Sequence, residues 1–308
     1  MRWVFVLLSV VLTQTMEAQE LFIRTEPASN LPKGVLGIRG IAEYYQEGAI
    51  TRSMYALRAL YGVNPRLTVW LQANISNHHD NQLPDDLIDD EGGIQHTHDI
   101  VTTEPYPMIF NGFHAYAKYL FLKHDQQNRH FRMAAYGEAS SSLTAHDEAE
   151  PNFMDDNAGL GAGIVATQLV DRFAASLTVG AAFPLRYVEK DRDITLYYGR
   201  AVSYSLSLGY LLLPVAYKDY TQTNLNLYLE FIGRANERAE IYLEEERVFI
   251  GQDTPALRAG NYVEIHPGIQ LILNSTTRID MGMGFRMWNT SYRHPYPLYF
   301  FQVQHYFF

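Results

Sequence analysis

The feature that most restricts this chain is a period of two between oily and charged residues, repeated in segment after segment. In one segment, Leu225, Leu227, Leu229 and Phe231 share one face. Gln222, Asn224, Asn226, Tyr228, Glu230 and Arg234 share the other. In a second, Ile279, Met281, Met283, Phe285 and Met287 oppose Arg278, Asp280, Gly282, Gly284 and Arg286. Leu67, Val69 and Leu71 keep the same beat, as do Phe173, Ala175, Leu177, Val179, Ala181 and Phe183. A β-strand sends successive side chains to opposite faces, so the pattern reads as strands with one apolar and one polar side. A slip of one residue would exchange the faces completely. If the apolar face meets hydrocarbon, each misplaced arginine costs about 2–4 kcal/mol at the bilayer midplane, which pins the register.

Taken in order, the candidate strands are 35–45, 52–61, 66–74, 109–123, 130–140, 157–169, 172–183, 197–212, 222–234, 261–273, 278–288 and the terminal stretch from Pro297. Starting after the second strand, the connections alternate short and long. Val63-Asn64-Pro65, Val170-Asp171 and Asn274 to Thr277 are tight turns, whereas 75–107, 141–156 and 235–259 are long and polar. Barrels that span outer membranes sort short turns to one side and long loops to the other. The expected fold is therefore all-β, an antiparallel transmembrane β-barrel of about 12 strands.

Residues Met1 to Ala18 have the pattern of a signal peptide: Arg2, an apolar run from Trp3 to Leu12, and a small residue at Ala18. Residues 19–33, with Pro27 and Pro32, read as a periplasmic N-terminal arm, and 34–308 as the barrel. No later run is long and apolar enough for a transmembrane helix. The 22 Tyr and 16 Phe suit a wall facing lipid on one side and water on the other. Cys is absent, which a closed sheet tolerates. The formal charge of −10 argues against nucleic acid as a partner.

The last stretch, Pro-Leu-Tyr-Phe-Phe-Gln-Val-Gln-His-Tyr-Phe-Phe, is aromatic at most positions and ends in Phe308. It resembles the C-terminal signal of bacterial outer-membrane barrels, which implies the barrel-assembly machinery as a partner. The periodicity does not say which face of this strand points inward, because both are aromatic. The arm from Arg24 to Pro32, and the stretch Asp156-Asn157-Ala158-Gly159 running to Leu169, resemble outer-membrane barrels of Bacteroidetes-type bacteria. More loosely, they resemble transporter-like barrels of the phenol meta-pathway group. The resemblance implies the bacterial outer membrane as location, with outer-membrane lipid and lipopolysaccharide around the wall.

With the apolar face outward, the lumen receives Arg39, Glu43, Arg52, Arg58, Arg66, Lys118, Arg132, Glu138, Glu230, Glu264, His266, Arg278, Asp280 and Arg286. These either neutralise one another as a polar filling or guide a small solute. The loops carry acidic runs: Asp80 to Glu91, Asp147 to Asp156 and Glu237 to Glu246, read as solvated outer surface. His78, His79, His96 and His98 lie together in the first long loop, and imidazoles so placed are candidate ligands for zinc or copper. No Gly-x-Ser-x-Gly elbow or other nucleophile setting occurs, so no enzyme and no cofactor are expected. The expected function is a passive channel or porin-like transporter for a small solute. The alternatives are a non-conducting barrel that binds partners through its acidic outer loops, and an outer-membrane lipid-modifying enzyme.

Overall fold

The computed structural model describes residues 21–79, 82–83, 87–88, 106–142, 144–216, 221–249, 255–290 and 296–308. Residues 1–20, and with them the expected signal peptide, lie outside the described residues, as do His96 and His98. The strands are β1 (Leu36–Glu47), β2 (Ile50–Asn64), β3 (Leu67–Ser76), β4 (Ile109–Gln126), β5 (Arg129–Ser141), β6 (Ala158–Val170) and β7 (Phe173–Pro184). There follow β8 (Tyr187–Glu189), β9 (Ile194–Tyr197), β10 (Ala201–Leu213), β11 (Asn224–Asn236), β12 (Glu240–Leu243) and β13 (Glu246–Val248). The last three are β14 (Gly260–Leu273), β15 (Thr277–Asn289) and β16 (Leu298–Phe307).

Twelve of these close into one barrel, in the order β1-β16-β15-β14-β11-β10-β7-β6-β5-β4-β3-β2. The seam is antiparallel and runs from Leu36 opposite Phe307 to Tyr44 opposite Tyr299. Closure leaves no open edge, so every strand finds ladder partners on both sides. The tight turns at one end use residues that tolerate a left-handed backbone: Asp171 at φ 51°, Asn274 at 50° and Ser275 at 54°.

Burial is inverted relative to a water-soluble protein. Outward-facing Leu57 and Leu177 are 60% and 54% exposed, whereas inward-facing Arg278 and Glu230 are 2% and 0% exposed. An apolar band of this kind, with exposed large apolar side chains on the barrel strands other than β5, needs an apolar surrounding. No described helix is long and apolar enough to cross a membrane, which says nothing about crossing by strands. The register of β16 resolves its faces: Leu298, Phe300, Gln302 and Gln304 are buried inward, and Phe301, Val303, His305 and Phe307 point out. Gln304 pairs across to Arg278 and Gln302 to Asp280, so polar residues share the inner face.

Three expectations need correction. First, residues 21–33 do not hang below the barrel but lie inside it, with Phe22, Ile23, Ala28 and Leu31 buried. The arm turns into β1 at Gly34, whose φ is +84°, and Gly34 N donates to Gly62 O at 2.7 Å. Gly62 is obligatory there, because a Cβ would stand 2.0 Å from Pro32 O. Second, the stretch 197–212 is two elements: Tyr197 ends β9 and the barrel strand begins at Ala201. Third, the acidic loop between β5 and β6 is not solvated, since Asp147, Glu148, Glu150, Asp155 and Asp156 are all buried. Glu244 to Glu246, by contrast, are exposed as expected.

The long loops fold together as a cap. β8 and β9 from one connection and β12 and β13 from the next form a four-stranded sheet ordered β13-β12-β9-β8. Leu196 and Ile241 pack there with Leu83 and Leu87 from the β3–β4 connection, Ala145 and Ala149 from β5–β6, and Leu257. Each fully buried Leu or Ile contributes about 1.5–3 kcal/mol. Leu83 is also held by polar contacts: its N–H donates to Glu189 at 3.0 Å and its carbonyl accepts from Arg192 at 2.6 Å.

Candidate functional site

The bore and its outer mouth form the candidate site. The wall is lopsided. Inward positions on β6, β7 and β10 are small: Gly161, Gly163, Ser176, Gly180, Ser205 and Ser207. Tyr136 on β5 lies flat over this wall, because a Cβ on Gly163 or Gly180 would meet its ring or hydroxyl within 2.6 Å. The opposite wall, on β1, β2, β4 and β15, carries Arg39, Arg58, Lys118 and Arg278, all buried.

The arm crosses between these walls, and its backbone is paired by inward side chains, as any buried backbone must be. Three successive amides converge on Glu230: Ile23 N at 3.2 Å, Arg24 N at 2.8 Å and Thr25 N at 3.1 Å. A run of amides curved around one carboxylate is an anion-binding nest. Thr25 Oγ1 donates to the same group at 2.7 Å. Ala28 N donates to Thr167 Oγ1 and Leu31 N to Thr68 Oγ1, at 2.8 and 2.9 Å. In return, Lys118 donates to Pro27 O at 2.5 Å and Arg278 to Phe22 O at 2.6 Å. Glu26 sits among three cations, 3.0 Å from Arg58, 3.6 Å from Arg39 and 3.8 Å from Lys118. Arg24 pairs with Glu43. The arm thus supplies the counter-charge that the basic wall lacks.

Other inward residues neutralise one another. Arg278 contacts Asp280 at 2.7 Å, Arg132 contacts Asp125 at 2.7 Å, and Arg52 contacts Glu47 at 2.6 Å. His114 and Glu138 are 3.0 Å apart, and His266 and Glu264 are 2.9 Å apart. Arg286 keeps the inward phase of β15, opposite Glu264, and is exposed. Arg66 is a further correction: it sits in the β2–β3 turn and is exposed, outside the lumen. The sequence reading missed Glu26, which faces three lumen cations, and the Phe153-Met154 pair. That pair reaches inward from the mouth: Met154 packs beside Ile41 and Met54, and Phe153 beside Ala182 and Ala201.

At the mouth, His78 and His79 are brought together with His146, Asp155 and Asp156 from the β5–β6 loop. The sequence grouped the first two with His96 and His98 and passed over His146. His79 Nε2 is 3.2 Å from His146 Nδ1 and 3.2 Å from Asp156 Oδ1, and His78 Nδ1 is 2.7 Å from Asp155 Oδ2. Burial disfavours charge on His79, yet the Asp156 carboxylate outweighs it, with Glu148 and Asp147 adding, and its pKa rises to about 9. Burial likewise opposes charge on His78, and Asp155 reverses this to a raised pKa. Burial would raise Asp156, but the imidazoles of His146, His79 and His78 hold it well below the usual carboxylate range. Asp155 is raised, by burial first and by Asp156 next.

These features define a closed antiparallel barrel with an apolar exterior, a charged bore and a folded segment within it. No protein-family model matches the chain, and no curated protein matches it in sequence. Among solved structures, the COG4313 outer membrane channel from Pseudomonas putida F1 is similar in fold, at TM-score 0.58 and 12% identity, over 93% of this chain and 100% of that one. The NanC porin aligns over 87% of this chain and 97% of its own at TM-score 0.46 and 7% identity.

Proposed function

We propose that this protein is a passive channel of the bacterial outer membrane, in which the arm sets the conducting width. The observation that carries the reading is the way the arm is held. It meets the bore only through polar contacts and small apolar clusters, so it can yield without breaking the ladder of the wall. With the arm displaced, Arg39, Arg58 and Lys118 lose Glu26, and a small anionic solute is the fitting cargo. Outer-membrane lipid, lipopolysaccharide and the assembly machinery belong to this reading as partners, and kinship with Bacteroidetes-type barrels rests on the arm and the 156–169 stretch. Catalysis forms no part of it.

The test is single-channel recording in planar bilayers, comparing the full chain with a variant lacking residues 21–33. Discrete steps of larger conductance in the deletion variant are expected. Silence from both proteins, each shown to be folded and inserted, overturns the reading. The folded cap over the mouth favours a second one, a non-conducting barrel that binds partners through its loops, and that silence would support it.

A further inference from the structure

We propose that the outer mouth holds a first-row transition metal, zinc being the reference ion, on His79 Nε2, His146 Nδ1 and an oxygen of Asp156. The ion would tie the segment after β3 to the loop before β6.

The geometry is that of ligands sharing one centre. Zinc bonded to nitrogen or oxygen at about 2.0–2.1 Å in a tetrahedron sets its ligand atoms about 3.3 Å apart. The two imidazole nitrogens stand 3.2 Å apart, His79 Nε2 stands 3.2 Å from Asp156 Oδ1, and His146 Nδ1 stands 4.0 Å from Asp156 Oδ2. The two rings are nearly perpendicular, at 85°, so the two nitrogens approach without the rings stacking.

Three further observations point to an ion. Asp156 is 5% exposed, and its Oδ1 makes no well-aligned hydrogen bond; its near neighbour is the His79 nitrogen at 3.2 Å, the spacing of two ligands on one ion. His146 Nε2 lies 3.2 Å from the carbonyl oxygen of Glu150, and a proton donated there leaves Nδ1 with the lone pair a metal requires. The other oxygen of Asp156 accepts from Asn152 Nδ2 at 2.9 Å, which orients the carboxylate as outer partners orient ligands elsewhere. A second group, His78, Asp155 and Asp156, adjoins the first through the shared Asp156 and offers further donors. Two imidazoles and a carboxylate favour zinc, copper or nickel over calcium, which takes six to eight oxygens.

The site joins two connections that the barrel order brings near one another, since β3 pairs with β4 and β4 with β5. An ion there would act as a clasp on the cap, with its occupancy set by metal outside the cell.

The experiment uses the untagged full chain in detergent, stripped with chelator and dialysed. ZnCl2 is titrated by calorimetry, CaCl2 serves as comparison, and CoCl2 reports geometry through its visible absorption. One zinc per chain is expected, with the strong visible bands of four-coordinate cobalt and no calcium binding in the same range. His79→Ala, His146→Ala and Asp156→Asn should each weaken zinc by at least about 100-fold, because loss of a ligand exceeds the 10–100-fold cost of losing an outer partner. His305→Ala, on the outer face, should not. Heat-modifiable gel mobility verifies that each variant keeps its barrel, and the cobalt spectrum of the unmutated chain tests the site even if a variant misfolds. Absence of zinc binding in the unmutated chain, binding unchanged by all three substitutions, or equal binding of calcium overturns the proposal. Channel conductance does not enter, so the metal site and the channel reading can fail separately.

Discussion

Replacing Glu230 with Gln tests whether the arm is held in the bore as described. One carboxylate oxygen accepts from Ile23 N and Arg24 N, and the other from Thr25 N, Thr25 Oγ1 and Ser207 Oγ. Glutamine keeps one acceptor and turns an NH2 group toward backbone donors, so two charge-assisted bonds are lost. Such bonds are worth about 1.5–3 kcal/mol each, or about 3–6 kcal/mol for two. A buried amide is cheaper to desolvate than a buried carboxylate, which offsets part of this and leaves about 2–4 kcal/mol against docking. At about 1.4 kcal/mol per tenfold, the undocked population rises about 30- to 700-fold. Amide hydrogen exchange of peptides within 21–31 reads that population directly when opening and closing are fast. Exchange there should accelerate by the same factor while β10 and β14 stay protected. Glu138→Gln, whose partner is His114 and not the arm, is the control. Equal exchange of the arm in the parent and Glu230→Gln, with both barrels intact, would refute the account of how it is anchored.

Further outcomes follow from the same geometry. Glu26→Gln removes the carboxylate facing Arg39, Arg58 and Lys118, so reversal potentials in a salt gradient should shift toward anion selectivity. Gly180→Ala places a methyl where Tyr136 Oη now lies 2.1 Å from the ideal Cβ; overpacking of this kind costs about 1–3 kcal/mol and should lower the urea midpoint of refolded barrels. In metal-free protein, His79 has a folded pKa of about 9, above the ordinary imidazole value of 6.5. Its contribution is full below the unfolded value and fades as pH rises through the folded one, so protease protection of the mouth should weaken between those limits. Asp156, whose pKa is lowered, gives the opposite edge, and its contribution fades on acidification below the ordinary carboxylate value.

The barrel was legible because it repeats: Leu225 to Phe231 and Ile279 to Met287 state the same two-faced rule in separate strands. The arm was not legible, since its partners are single side chains scattered over β1 to β6, β10, β11, β15 and β16, and none leaves a local trace near Arg24 or Glu26. The cap strands are three or four residues long, too short for a period to emerge. His79 and His146 are 67 positions apart and meet only once the strand order is known. The faces of β16 were undecidable from its own residues, because Phe300 and Phe301 look alike until Gln302 is placed across from Asp280.

The contrast between the glycine- and serine-lined side and the arginine-lined side divides the labour of the bore. Under the proposed channel reading, β6, β7 and β10 bound the space left beside the arm, and Ser176→Leu or Ser205→Leu would narrow it without altering the charge of the bore. Trimming Arg39 or Lys118 would lower the positive charge of the other wall and also loosen the arm, since Arg39 faces Glu26 and Lys118 donates to Pro27 O. Because one segment touches both walls, a change made for charge on one side would be felt as a change of fit on the other.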